Sequence, residues 1–274
     1  MSKGGEDFAG GIFRRLYQPV NPAGLAFALA AALSLVVLYQ FLQLVMMLVV
    51  LHGFFGAGTI DARVEAKANL LVIFPAALVV AAAAWWLAGL RGGERHQVLN
   101  LRRPKLTLRG WLMLVGGYML VMYAAIMTLV LALGIDPAQY TPGPDGQSPD
   151  TGSAGVVKEA VFDLANEPWL FLLVLPSIAI GAPLVEELIF RGQLFAALSG
   201  TRLGVAGATL ITSALWALLH MTEPWLSIGL LFIMGLCFGW MMYRFGSLWV
   251  PIVCHAVWNG SFALIVFFGA GGSS

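Results

Sequence analysis

The second half of the chain holds a small set of side chains that could do chemistry. Glu186 and Glu187 stand side by side, with Arg191 four residues past the second; His220 follows, and then His255 with Asn259 four residues on. All lie inside or at the edge of strongly apolar stretches. An ionisable group there is costly to hold and points to function by default. On a helix Glu187 and Arg191 stand one above the other, so they are expected to pair. Glu186 lies about 100° away round the helix and has no partner on it. It must face water, a cation or a polar group from another helix. His255 and Asn259 share one helix face by the same spacing. A carboxylate without a local partner, two imidazoles and a carboxamide supply what hydrolysis requires: a base for water and donors for a developing oxyanion.

The composition says where such a site must sit. Of 274 residues, 59% are hydrophobic and only 11% charged, against roughly 25% charged in a soluble domain. Mean hydropathy is +0.86. These values predict a multi-pass membrane protein with the lipid bilayer as its surroundings. A net charge of +1 gives no electrostatic footprint for nucleic acid. Cys237 and Cys254 both lie in apolar segments and form neither a C-x-x-C pair nor a disulfide framework. The first apolar run is too long for a signal peptide and is expected to stay as an anchor.

The elements that position the site follow from hydropathy and breakers. Residues 1–23 read as a cytoplasmic tail with a short interfacial piece. A first span covers 24–51; a charged loop with Asp61, Arg63, Glu65 and Lys67 leads to a second at 69–90. Loop 91–110 carries Arg91, Arg95, Arg102, Arg103, Lys105 and Arg109 against Glu94 alone, which makes it cytoplasmic. A third span covers 111–134. Residues 135–153, rich in Pro, Gly and Asp, form an outer loop. Residues 154–166 predict a short interfacial helix closed off by Pro168. The fourth span starts near Trp169, and Pro176, Gly181 and Pro183 predict a kink just before the carboxylates. Spans at 203–220, 226–243 and 249–269 complete the chain. Gly235-x-x-x-Gly239 in the sixth predicts close helix contact of an ordinary packing kind. The fold class is all-α: a polytopic transmembrane bundle of about seven spans. Its parts are the tail 1–23, three spans with their loops at 24–153, a catalytic core at 154–269 and a tail at 270–274.

Glu186-Glu187-x-x-x-Arg191, a histidine 34 residues after Glu186, and His255-x-x-x-Asn259 together resemble the CPBP family of intramembrane proteases. That family includes type II CAAX prenyl endopeptidases and the bacteriocin-processing or immunity (Abi) proteins. The resemblance covers roughly residues 155–268. It implies that Glu186 and His220 activate the attacking water. By the same resemblance His255 and Asn259 stabilise the tetrahedral oxyanion, and Glu187 and Arg191 support the site. The family's middle motif usually reads Phe-x-x-x-His, and here the aromatic is Trp216, a change expected to alter pocket shape more than chemistry. No cofactor is required by these roles. A divalent metal such as zinc is the open alternative, with Glu186, His220 and His255 as a three-ligand set. His-Glu-x-x-His is absent, however, and metal binding by Glu186 would leave Glu187 as base, against its pairing with Arg191.

The expected activity is therefore an intramembrane endopeptidase cutting near the cytoplasmic face. Its substrate would be a prenylated tail, a peptide precursor or a membrane protein. The expected location is a bacterial inner membrane, with the N-terminus cytoplasmic. Two other classes stay open: a non-catalytic immunity or scaffold protein on the same fold, and a proton-coupled transporter, which inverted repeats would favour. Helix rise sets a condition on depth. His255 lies about 9 Å into its span, whereas Glu186 and His220 lie about 20–25 Å from the turn at 199–203. The three meet only if the hairpin 183–220 projects beyond the membrane on the cytoplasmic side.

Overall fold

The computed structural model describes residues 11, 13–20, 24–53, 61–90, 92–134 and 153–271. The outer loop expected at 135–153 lies almost wholly outside the described residues, as do most of the expected N-terminal tail and residues 272–274 of the C-terminal one. Among the described residues every regular element is helical: α1 (Gly24–Gly53), α2 (Ala62–Leu90), α3 (Arg95–Val98), α4 (Leu108–Leu133), α5 (Ser153–Asp163), α6 (Pro168–Ser199), α7 (Gly204–Leu218), α8 (Trp225–Phe245) and α9 (Trp249–Gly271). Six of these, α1, α2, α4, α6, α8 and α9, are long and apolar enough to cross a membrane. The chain is an all-α, multi-pass integral membrane protein.

The fifth expected span, at 203–220, is shorter than its apolar run. α7 has 15 residues, about 22 Å of rise, and stops before His220. The backbone tightens there: His220 N donates to Ala217 O at 3.0 Å and Met221 N to Leu218 O at 3.2 Å, both three residues back. The second span is longer than expected. The charged residues placed in a loop form its first turns, because Asp61 caps them. Its Oδ1 accepts from Arg63 N at 3.0 Å and Val64 N at 2.9 Å. Arg63 then pairs with Asp163 at 3.1 Å and Lys67 with Glu167 at 2.7 Å. These pairs tie the start of α2 to the end of α5 and the turn after it. α5 is accordingly docked on the bundle, with Ala160 and Val161 buried in one apolar cluster with Leu70 of α2 and Ala263 of α9. Pro168 opens α6 at its first position, where its missing N–H costs nothing.

α6 does not break at its prolines and glycine. Pro183 cannot donate to the carbonyl four residues back, and its ring would strike that carbonyl. The chain takes a wider turn instead: Ser177–Gly181 is π-helical, and a second π segment covers Leu188–Phe195. The short α-helical stretch Ala182–Glu187 between them carries both carboxylates. Gly181 lets this part of α6 press on α2, where an added Cβ would stand 3.0 Å from the Phe74 backbone. Ser177 Oγ accepts from Phe74 N at 3.1 Å. π segments inside α-helices occur often at functional sites.

One end of the bundle gathers the basic segments. Leu16 N and Tyr17 N both donate to Tyr243 O, at 3.1 and 3.2 Å. The Tyr17 phenol lies 2.9 Å from Ser199 Oγ and edge-on to Phe195. Leu248 N donates to Asn100 O at 2.8 Å, and Ser247 Oγ to Arg102 O at 2.6 Å. Arg14, Arg15, Arg102, Arg202 and the buried Arg244 thus lie at that end. α6 extends past the start of α9 there. A Cβ at Gly192 would lie 3.3 Å from Leu248 Cδ2, so the start of α9 sits level with Gly192. The turn after Ser199 is seven residues further along α6, roughly 10 Å out.

The glycine pair in α8 does pack closely. Gly235 and Gly239 face Ser213 and Thr209 of α7, small residues at the same four-residue spacing. A Cβ at Gly235 would stand 2.8 Å from Ser213 Cβ and 3.0 Å from its Cα. Gly235→Ala should therefore cost about 1–3 kcal/mol through forced separation of α7 from α8. Thermal unfolding in detergent reads this, and a variant as stable as the parent would contradict the close packing.

Candidate active site

The site forms where α6, α7, α8 and α9 cross. Glu187 is fully buried, and its Oε1 accepts from Arg191 Nη1 at 3.2 Å. The expected pairing is present, with Arg191 equally buried. The guanidinium is held on three further sides. Nη2 donates to Gly235 O at 3.3 Å, a carbonyl left open by the absent side chain. Cζ sits 5.1 Å from the Trp216 ring centre and 5.2 Å from that of Phe238.

Helical phase separates the two carboxylates, yet one imidazole reaches both. His255 Nδ1 lies 3.1 Å from Glu187 Oε1, and its Nε2 lies 3.9 Å from Glu186 Oε2. A carboxylate can only accept, so Nδ1 carries a proton and Nε2 faces Glu186. Phe238 stacks on the imidazole with ring centres 5.1 Å apart. Glu187 is thus more than an ion-pair partner for Arg191: it also fixes the orientation of His255. Its second oxygen, Oε2, has no hydrogen-bond partner among the described residues.

Glu186 is the carboxylate that water can reach, with 23% of its side chain exposed. Its partner comes from another helix, as its phase required. Trp216 Nε1 donates to Oε2 at 2.7 Å. Trp216 also joins His220 to the group. Its carbonyl accepts from His220 Nδ1 at 3.0 Å, and its ring stands edge-on to His220 at 5.6 Å and to His255 at 5.4 Å. A carbonyl cannot donate, so the neutral His220 ring keeps its proton on Nδ1 and leaves Nε2 as an acceptor. The structure brings Glu186, Glu187, Arg191 and His255 into direct contact and sets His220 against Trp216, which touches both Glu186 and His255. Asn259 lies one turn beyond His255 on α9. Its Nδ2 donates to Ile178 O at 3.4 Å, in the first π segment of α6.

Three features were not legible in the sequence reading. Phe238 had no signal beyond hydropathy. Gly235 was read only for packing. Trp216 was expected to change shape more than chemistry, but its indole N–H reaches a carboxylate, which the phenylalanine usual at that position could not do. If the site hydrolyses peptides, Trp216→Phe should lower the cleavage rate by about 10–10²-fold, the size of a hydrogen bond to a charged group, with little change in Tm. Steady-state cleavage beside thermal unfolding distinguishes this from a packing defect. An unchanged rate would show that the indole N–H is idle.

The donor set argues against a three-ligand metal centre in this arrangement. Among the described residues no three His, Cys, Asp or Glu side chains group as metal ligands. Trp216 stands beside both histidines, and its N–H occupies Glu186 Oε2. In this arrangement Glu186, His220 and His255 are not gathered as a ligand set.

Residues 168–261 match the family model for Rce1-like type II CAAX prenyl endopeptidases. The match spans about a third of the chain and includes every candidate site residue named above. No curated protein and no solved structure matches the chain.

Proposed function

We propose, from the match of residues 168–261 to the Rce1-like type II CAAX prenyl endopeptidase family, that the chain hydrolyses a peptide bond with water activated at Glu186. The observation that carries this reading is the contrast between the two carboxylates. Glu187 is sealed from solvent by Arg191 and His255. Glu186 is open on one side and held by Trp216 on the other.

In this reading a water lies between Glu186 and the free Nε2 of His220, and gives a proton to the carboxylate as its oxygen attacks the scissile carbonyl. The carbonyl oxygen gains charge in the tetrahedral state. His255, with Nδ1 bound to Glu187, donates from Nε2 when it is the imidazolium, and Asn259 Nδ2 is the second donor. Glu186 then returns its proton to the leaving amine. Arg191 and Glu187 hold the imidazole in place. The mechanism uses no cofactor.

The bundle end that carries Arg14, Arg15, Arg102, Arg202 and Arg244 is the cytoplasmic end by the positive-inside rule. The site then lies in a water-filled cavity on that side of the bilayer, in a bacterial inner membrane. The substrate is a prenylated tail, a peptide precursor or a membrane protein.

The test is a quenched-fluorescence peptide library offered to the full chain in liposomes, with and without a strong chelator. Cleavage that survives the chelator supports the reading. Cleavage that the chelator abolishes overturns the metal-free mechanism. No cleavage of any peptide overturns the enzymatic reading and favours an immunity or scaffold role.

A further inference from the structure

α1 lies outside the residues that match the family, yet it reaches the site. Tyr17, just ahead of the helix, meets Ser199 at the end of α6, so α1 starts at the bundle end where α6 stops. The two helices run in opposite directions, and α1 packs along Leu188–Phe195 and Ala196–Ser199 of α6. Helix rise then matches two depths. Tyr39 stands about 22 Å from Gly24 along α1, and Glu186 about 20 Å from Ser199 along α6.

Tyr39 is on the face of α1 that meets the bundle. Ala28, Ala31, Ala32 and Leu35 are buried along that face, and Tyr39 is one turn beyond Leu35. It packs on the apolar cluster that contains Val185, Leu188 and Ile189, the α6 residues around the carboxylates. Glu186 is near enough for its charge to act on Tyr39.

Among the described residues no partner bonds the Tyr39 hydroxyl, and the half-buried side chain does not seal that oxygen as the Tyr118 oxygen is sealed. Phenylalanine would fill the same space without desolvating a hydroxyl. Gln43 stands one turn deeper on the same face and is also half-buried. Polar side chains on the inner face of a spanning helix mark a water-lined path rather than apolar packing. Tyr39 and Gln43 on α1 and the open side of Glu186 on α6 fit the two walls of one such path.

We propose that Tyr39 positions the attacking water: its hydroxyl donates a hydrogen bond to the water that gives its proton to Glu186, from the wall of a water-filled cleft between α1 and α6. This rests on the reading of Glu186 as the base. The protons of the water point to Glu186 and to Nε2 of His220. One lone pair accepts from Tyr39, and the other faces the scissile carbon. Tyrosine keeps its own proton throughout.

Placement is tested without turnover. The full chain with Cys237→Ala and Cys254→Ala, in liposomes, carries either Tyr39→Cys or Phe41→Cys. Each is treated with a membrane-impermeant cationic methanethiosulfonate and with its anionic counterpart. Phe41 is the more exposed side chain, at 60%, but it faces lipid. Tyr39→Cys should react about tenfold faster, since charged reagents are excluded from hydrocarbon. Adding Glu186→Gln should lower its cationic-to-anionic rate ratio about threefold, because a nearby carboxylate attracts one reagent and repels the other. The water contact is read from turnover. Tyr39→Phe should lower kcat by about three- to tenfold, the size of one neutral hydrogen bond, with KM and Tm unchanged. Equal rates at the two cysteines, or a ratio indifferent to Glu186, overturn the placement, and an unchanged kcat overturns the water contact. A parent that cuts no peptide overturns the hydrolase reading and with it the role of the water, while the labelling still decides the cleft.

Discussion

Glu186→Gln is expected to lower peptide cleavage by about 10²–10⁴-fold, the span that general acid–base catalysis contributes. The amide keeps the shape of the carboxylate, and its oxygen can still accept from the Trp216 indole, so the fold should persist with an unchanged Tm. What it cannot do is take a proton from water. Glu187 cannot take over, because it is fully buried and its Oε1 already binds both Arg191 and His255. The measurement is kcat/KM for any peptide that the parent cuts, with Tm as the control for folding. A Glu186→Gln protein that cuts within threefold of the parent would remove Glu186 from the chemistry.

Arg191→Ala is expected to cost about 3–5 kcal/mol, the range for breaking a buried ion pair by removing one partner. Neither Arg191 nor Glu187 touches solvent. Without the guanidinium the Glu187 carboxylate keeps only His255, and Gly235 O loses its donor. Two aromatic faces, Trp216 and Phe238, also lose the cation packed between them. Removing both charges together, as Glu187→Gln with Arg191→Met, should recover part of the loss, since no uncompensated charge is then left behind. Thermal unfolding of the single and double variants forms the cycle that measures this coupling. If Arg191→Ala unfolds at the parent's temperature, the pair is not holding the site together.

The parts of this protein that could be read from sequence are those set by local rules. Hydropathy placed the long helices, and four-residue spacing paired Glu187 with Arg191, because both depend only on near neighbours. Errors came where distant residues decide the outcome. α2 begins at Ala62 rather than 69 because its charged first turns are anchored by Asp163 and Glu167, about a hundred residues away. The breakers in α6 pointed to irregular backbone but not to its form, a π turn packed against α2. Helical phase separated Glu186 from Glu187 correctly as directions on one helix. It could not show that His255, from α9, spans both. The role of Trp216 was visible only as a departure from a motif, since a hydrogen bond across helices leaves no trace in the spacing along one of them.

The central claim is that water held at Glu186 opens a peptide bond. Its most direct measurement is the mass of the new C-terminus when parent and Glu186→Gln chains, each in liposomes, act on the same peptide in ¹⁸O-labelled water. The account predicts one ¹⁸O atom in the new carboxyl group made by the parent, and no such product above background from Glu186→Gln. The same labelled product from both proteins in similar amounts would contradict it.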